Sequence, residues 1–148
     1  MTTRVNVYSY VLTVLLGWGG SLAWAQVDPT KALVGTWEGH MELPRDSERV
    51  LVIRSVTLKE GGGWVADGRF GLTIEKMGRR EIEVSLQGSD IILEFVAPGN
   101  NPVRLKLVGE NRLEGTVNII AGQPGTGIVA ANRSFKLEKV EPKAGDVK

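Results

Sequence analysis

Beyond its first 25 residues, the chain alternates apolar and polar residues with a period of two along eight successive stretches. Successive side chains of a β-strand point to opposite faces, so each stretch reads as a strand with one buried and one wet face. The first is the clearest. In Gly35-Thr36-Trp37-Glu38-Gly39-His40-Met41-Glu42-Leu43 the odd-numbered positions are apolar or glycine and the even-numbered ones polar. Turn signals separate the stretches every 8 to 12 residues, and no segment carries a helical period.

The second stretch, residues 49–59, slips in the middle: Leu51 and Ile53 share one face, Val56 and Leu58 the other. A bulge at Arg54-Ser55 brings all four to one side, as happens where barrels bend. After the turn Gly61-Gly62-Gly63, the next inner face reads Trp64, Ala66, Gly68, Phe70, Leu72 and Ile74. Residues 76–80 read as a turn, and Asp28-Pro29 near the start as a turn or breaker. The remaining inner faces are Ile82, Val84 and Leu86; Ile91, Leu93 and Phe95; and Val103, Leu105 and Leu107. Leu113, Gly115, Val117 and Ile119 follow, then a glycine-rich loop at 121–127. The last face carries Val129, Ala131, Arg133, Phe135 and Leu137.

Three segments follow from this reading. Residues 1–25 hold one charge (Arg4), a short apolar core and Ala23-Trp24-Ala25, the pattern of a secretory signal peptide cut before Gln26. The rival reading is an uncleaved anchor, since such a stretch is just long enough to span a bilayer. Residues 26–140 form one β domain, and the charged residues 141–148 a disordered tail. The expected location is the periplasm or the outside of the cell, with no membrane span after cleavage. The exported part has 17 basic and 17 acidic residues once Arg4 is set aside from the 18, and it has no basic stripe. A nucleic-acid partner is therefore not expected. With no cysteine, packing rather than disulfides must hold the domain.

Short connections between consecutive strands imply an antiparallel meander. Eight strands of that kind close into an up-and-down β-barrel, which removes exposed edges. A two-sheet β-sandwich is the alternative. The aromatic girdles and longer strands of an outer-membrane barrel are missing.

At Gly35-Thr36-Trp37 the chain resembles the lipocalins and their calycin relatives, and in length it is similar to short exported lipocalin-like domains of bacteria. That family opens its first strand with Gly-x-Trp. The resemblance implies a cup-shaped barrel holding a small, mostly apolar molecule. It also implies an arginine or lysine of the last strand packed across the tryptophan, for which Arg133 is the candidate. The chain lacks the family's usual disulfides and its Thr-Asp-Tyr motif.

Trp37, Trp64, Phe70 and Phe95 are the inward rings, either as core or as ligand contacts. Arg133 is either an anchor for a ligand carboxylate or a guanidinium stacked on Trp37, a contact worth about 0.5–2 kcal/mol. An eight-stranded barrel is just wide enough to be filled by its own side chains or to hold one small ligand, so size does not decide. His40, between Glu38 and Glu42 on the wet face, is a poor zinc signature and reads as solvated. Glu81 and Glu83 read as solvated too, and residues 122–127 lack the lysine and helix of a phosphate loop. No metal, cofactor or catalytic residue is expected. The expectation is an exported, non-catalytic barrel that binds a small hydrophobic or amphipathic ligand. Its rival is a filled barrel acting as an interaction module for another envelope protein, because Ile92, Val96 and Ile120 leave apolar groups on outer faces.

Overall fold

A computed structural model of the chain describes residues 28–43, 47–120 and 130–141. The expected leader, the glycine-rich loop and all but the first residue of the expected tail lie outside the described residues.

The described chain starts with a short helix, α1 (Pro29–Leu33), where the sequence suggested only a turn. Asp28 caps it by accepting from the Thr30 backbone N–H at 2.9 Å, and Pro29 at the first turn is pre-set for helical φ. Both signals are in the sequence. The helix is too short to leave a period, which is why an alternation-based reading passes over it.

Eight strands follow: β1 (Gly35–Met41), β2 (Glu48–Leu58), β3 (Trp64–Gly71), β4 (Met77–Gln87), β5 (Asp90–Ala97), β6 (Asn101–Val108), β7 (Arg112–Ile119) and β8 (Ala131–Val140). Each pairs antiparallel with its neighbour in sequence, and β8 pairs with β1 to close the barrel. Closure decides between barrel and sandwich, and it gives every strand two paired neighbours.

The faces follow the alternation. Leu51 and Ile53 point into the core, and so does Val56, because the register slips between Ile53 and Ser55. Arg54 is the extra residue of that bulge. Leu58 does not join them; at the strand's end it is exposed. A second difference lies between β3 and β4. The third strand stops at Gly71, and a 3₁₀ turn (Ile74–Lys76) carries the chain round. Leu72 and Ile74 are therefore exposed, and the segment Met77 to Arg80 belongs to β4 rather than to a turn.

The core is apolar throughout, and among the described residues no polar or charged side chain is buried. Phe70 meets Phe95 edge-on at 5.2 Å between centroids and Phe135 at 5.9 Å. Such edge-to-face pairs are favoured by the ring quadrupoles. Phe135 lies between Gly115 of β7 and Met41 of β1. A Cβ on Gly115 would overlap the Arg104 carbonyl oxygen across the sheet, so only glycine fits that bend.

Candidate functional site

The two ends of the barrel differ. At the end where β1 begins, α1 acts as a plug. Leu33 is fully buried there, and its carbonyl accepts the Trp37 indole N–H at 2.9 Å. Trp37 is fully buried as well, and its partner on β8 is Lys139. The Lys139 Nζ lies 5.1 Å from the centre of the indole and donates to the Ala32 carbonyl at 2.9 Å. One ammonium thus ties the last strand, the tryptophan and the plug together. Gly35 makes room for it: its φ of +142° suits glycine, and a Cβ there would meet Lys139 Cε at 2.9 Å. The Gly-x-Trp motif therefore has a local cause. The glycine clears the path of the lysine stem, and the tryptophan receives its charge.

Arg133 does not take that part. It pairs with Val117 and sits six positions before Lys139 on β8, at the opposite end of the barrel. On the last strand Phe135 and Leu137 face inward as expected, the face continues one step further to Lys139, and Val129, its expected start, lies outside the described residues. Register, set by pairing across 100 residues of chain, placed Lys139 rather than Arg133 on Trp37.

At that opposite end no element among the described residues covers the barrel. A cavity of about 590 Å³ enters between the strand ends, with Met41, Phe70, Ala97, Val117 and Ile119 as its apolar wall. Arg49, Lys76 and Asn101 also line it, and Leu72 and Ile120 extend the apolar surface to the rim. The Asn101 side chain is committed locally: its amide donates to the Pro98 carbonyl at 2.8 Å, and its Oδ1 accepts from the Ile120 N–H at 2.9 Å.

Of the five residues singled out from sequence, Phe70 alone lines this cavity. Phe95 supports Phe70 from behind. Trp37 is part of the plug, and Trp64, half-buried at the start of β3, packs against the core at the plugged end. Arg133 borders the mouth through its register partner Val117, which is part of the wall.

Other depressions lie on the outside. One of about 820 Å³ runs beside Glu38, His40, Glu48, Glu75 and Glu138, and one of about 530 Å³ beside Glu81, Glu83, Glu94 and Arg104. Both are shallower than the mouth cavity; polar and apolar groups share the first about equally, while the second is mostly apolar, with Phe95, Val96, Pro102 and Val103 between its charged groups. The first is larger, but volume spread over an open surface does not enclose a ligand. His40, Glu38 and Glu42 are all exposed, and among the described residues no three histidine, cysteine or carboxylate side chains converge to hold a metal ion.

Fold and site together define an eight-stranded up-and-down barrel, plugged at one end and, among the described residues, uncovered at the other. Comparison of the chain with protein-family models, with curated proteins and with solved structures finds no match.

Proposed function

We propose that this protein is an exported, lipocalin-like carrier that binds one small hydrophobic or amphipathic molecule in the barrel mouth and catalyses no reaction on it. The observation that carries the reading is the open cavity of about 590 Å³ with Phe70, Met41, Val117 and Ile119 in its wall. That volume lies within the ordinary range for small-molecule sites, and a concave apolar wall with few polar groups is their usual make-up. The lysine on Trp37 adds to the lipocalin likeness, since the resemblance implies such a cation on the last strand. Native mass spectrometry of the protein, purified without detergent, tests the reading. An added mass that organic solvent removes supports it. A bare mass, followed by failure to bind a panel of lipophilic probes, overturns it.

A second reading rests on the rim. Leu72, Ile74 and Ile120 are exposed around the mouth and Val96 beside it, as an interaction module would require. Ile92 no longer counts toward it, because Ser85 and Lys106 flank it in the sheet and it is 5% exposed. Small exposed apolar groups are normal on soluble proteins, so the cavity is the stronger sign.

A further inference from the structure

We infer that the outer wall carries a docking place separate from the mouth, where an extended basic segment of another protein adds a strand along β4. The closed order gives each strand two neighbours, but the pair β4–β5 is incomplete. Its register runs from Gln87↔Asp90 to Glu83↔Glu94 and stops there. Residues 77–82 of β4 therefore pair with β3 alone, and residues 95–97 of β5 with β6 alone. Backbone N–H and C=O groups that lack a ladder partner need one from elsewhere. Two carbonyls of the freed stretch are met by side chains: Met77 accepts from Arg69 Nη2 at 3.2 Å, and Arg79 from Arg80 Nη1 at 2.7 Å. An unpaired edge is a template for an incoming strand, whose N–H groups can replace those guanidinium donors bond for bond.

The outer depression of about 530 Å³ is lined from both sides of this gap, by Glu81 and Glu83 of β4 and by Phe95 and Val96 of β5. Such a trough does not enclose a small molecule, but an extended chain can lie along it. Val96 is 51% exposed beside its register partner Pro102, an apolar surface that the described residues leave bare. The β4 side is negative. Glu81 is exposed, stands opposite Asp67 across the β3–β4 pair, and has no ion pair among the described residues. The cations nearby are already taken: Arg79 by Asp67 at 2.9 Å, Lys59 by Glu83 at 3.5 Å, and Arg104 by Glu94. Like charges opposite one another are unfavourable in a sheet, and a lysine or arginine arriving beside Glu81 relieves them. Side chains of an added strand alternate between its two faces. The segment that fits turns apolar residues inward to Phe95 and basic ones outward to Glu81, with their stems along Val96. A second copy of this chain is the poorer occupant, because among its described residues it has only this same edge to bring.

Fluorescence anisotropy with labelled synthetic peptides tests the inference on the protein as it stands. The first peptide alternates lysine and valine, the second glutamate and valine, and the third is the lysine peptide with alternate backbone nitrogens methylated. The lysine peptide is expected to bind at least roughly tenfold tighter than either of the others. Glu81→Lys, a change on the exposed face, should reverse the preference between the first two. Equal binding of the methylated peptide would mean charge attraction without strand addition and overturns the inference. So does binding of none of the three, or a charge preference that Glu81→Lys leaves unmoved. A dimer of the protein that Glu81→Lys dissolves would put a second copy on the edge and overturns the foreign segment. Should Glu81→Lys fail to fold, the peptide series on the unaltered protein decides alone.

Discussion

Lys139 lies across the Trp37 ring with its Nζ 5.1 Å from the centroid, joining the last strand to the first over the plugged end of the barrel. The contact is more than a pairing of charge and ring. The same ammonium donates to Ala32, and the ring donates to Leu33, so helix, first strand and last strand share one polar seam in an otherwise apolar core. Lys139 and Trp37 therefore link the plug to the closing seam that the pairing of β1 with β8 forms.

Replacing Lys139 by Met keeps the stem packed but removes the charge and the donor. Loss of the cation–π contact and of one hydrogen bond is expected to cost about 1–2 kcal/mol. Urea titration followed by tryptophan emission measures it, and Lys139→Arg should recover most of the loss. A Met variant as stable as the parent would mean that the seam holds without its cation.

Gly115 and Gly39 bend their strands where no Cβ fits. A Cβ at Gly39 would overlap the Lys136 carbonyl oxygen, as one at Gly115 would overlap that of Arg104. Alanine at either site must push a neighbouring strand aside, at a cost of at least about 2 kcal/mol. Alanine at Gly88, where open space surrounds the missing Cβ, meets only the strain of φ +65° and should cost about 1 kcal/mol. Thermal melts of the three variants give the ranking directly.

Most of the barrel was legible because period-2 alternation is a local property, carried by each strand alone. Even the bulge at Arg54-Ser55 could be read, since it shows as a slip of phase within one strand. The site was less legible, for two reasons. Register between strands far apart in sequence leaves no local mark, so Arg133 and Lys139 could not be told apart as partners of Trp37. Glycine misled as well. Gly78 beside two arginines looked like a turn, and reading it so hid the inward position of Arg80 within β4. Leu72 and Ile74 continued the alternation of β3 past its end, where Gly71 and the 3₁₀ turn send them to the rim.

The plug should loosen in acid. Hydrogen bonds from the Thr30 hydroxyl and backbone N–H hold the Asp28 carboxyl below the usual carboxylate range. A group whose pKa is lowered on folding stabilises the fold above its unfolded pKa, and that share is lost as pH falls through the folded value. Asn at this position caps without titrating. The stability difference between the parent and Asp28→Asn is therefore expected to be constant near neutral pH. It should shift against the parent only below the ordinary aspartate range. Paired urea titrations from pH 7 down to pH 3 would show it, and a pH-independent difference would remove the cap from the acid response.

Binding and stability should separate along the barrel axis if the mouth alone takes the ligand. Ala97 is 5% exposed at the end of β5, where it belongs to the apolar core and also lines the cavity. Leucine there grows into space that is already empty, so the fold should keep its stability within about 0.5 kcal/mol. The ligand loses that space, and affinity for a neutral lipophilic dye such as N-phenyl-1-naphthylamine should fall by roughly tenfold. Leu33→Ala makes the opposite change. It opens a hole beneath the plug and should cost about 2–5 kcal/mol of stability, while the distant mouth binds the dye as before. Fluorescence titration and denaturant melts of the two variants give four numbers. Weakened binding in Leu33→Ala with none in Ala97→Leu would place the ligand at the plugged end instead, beside Trp37 and Trp64.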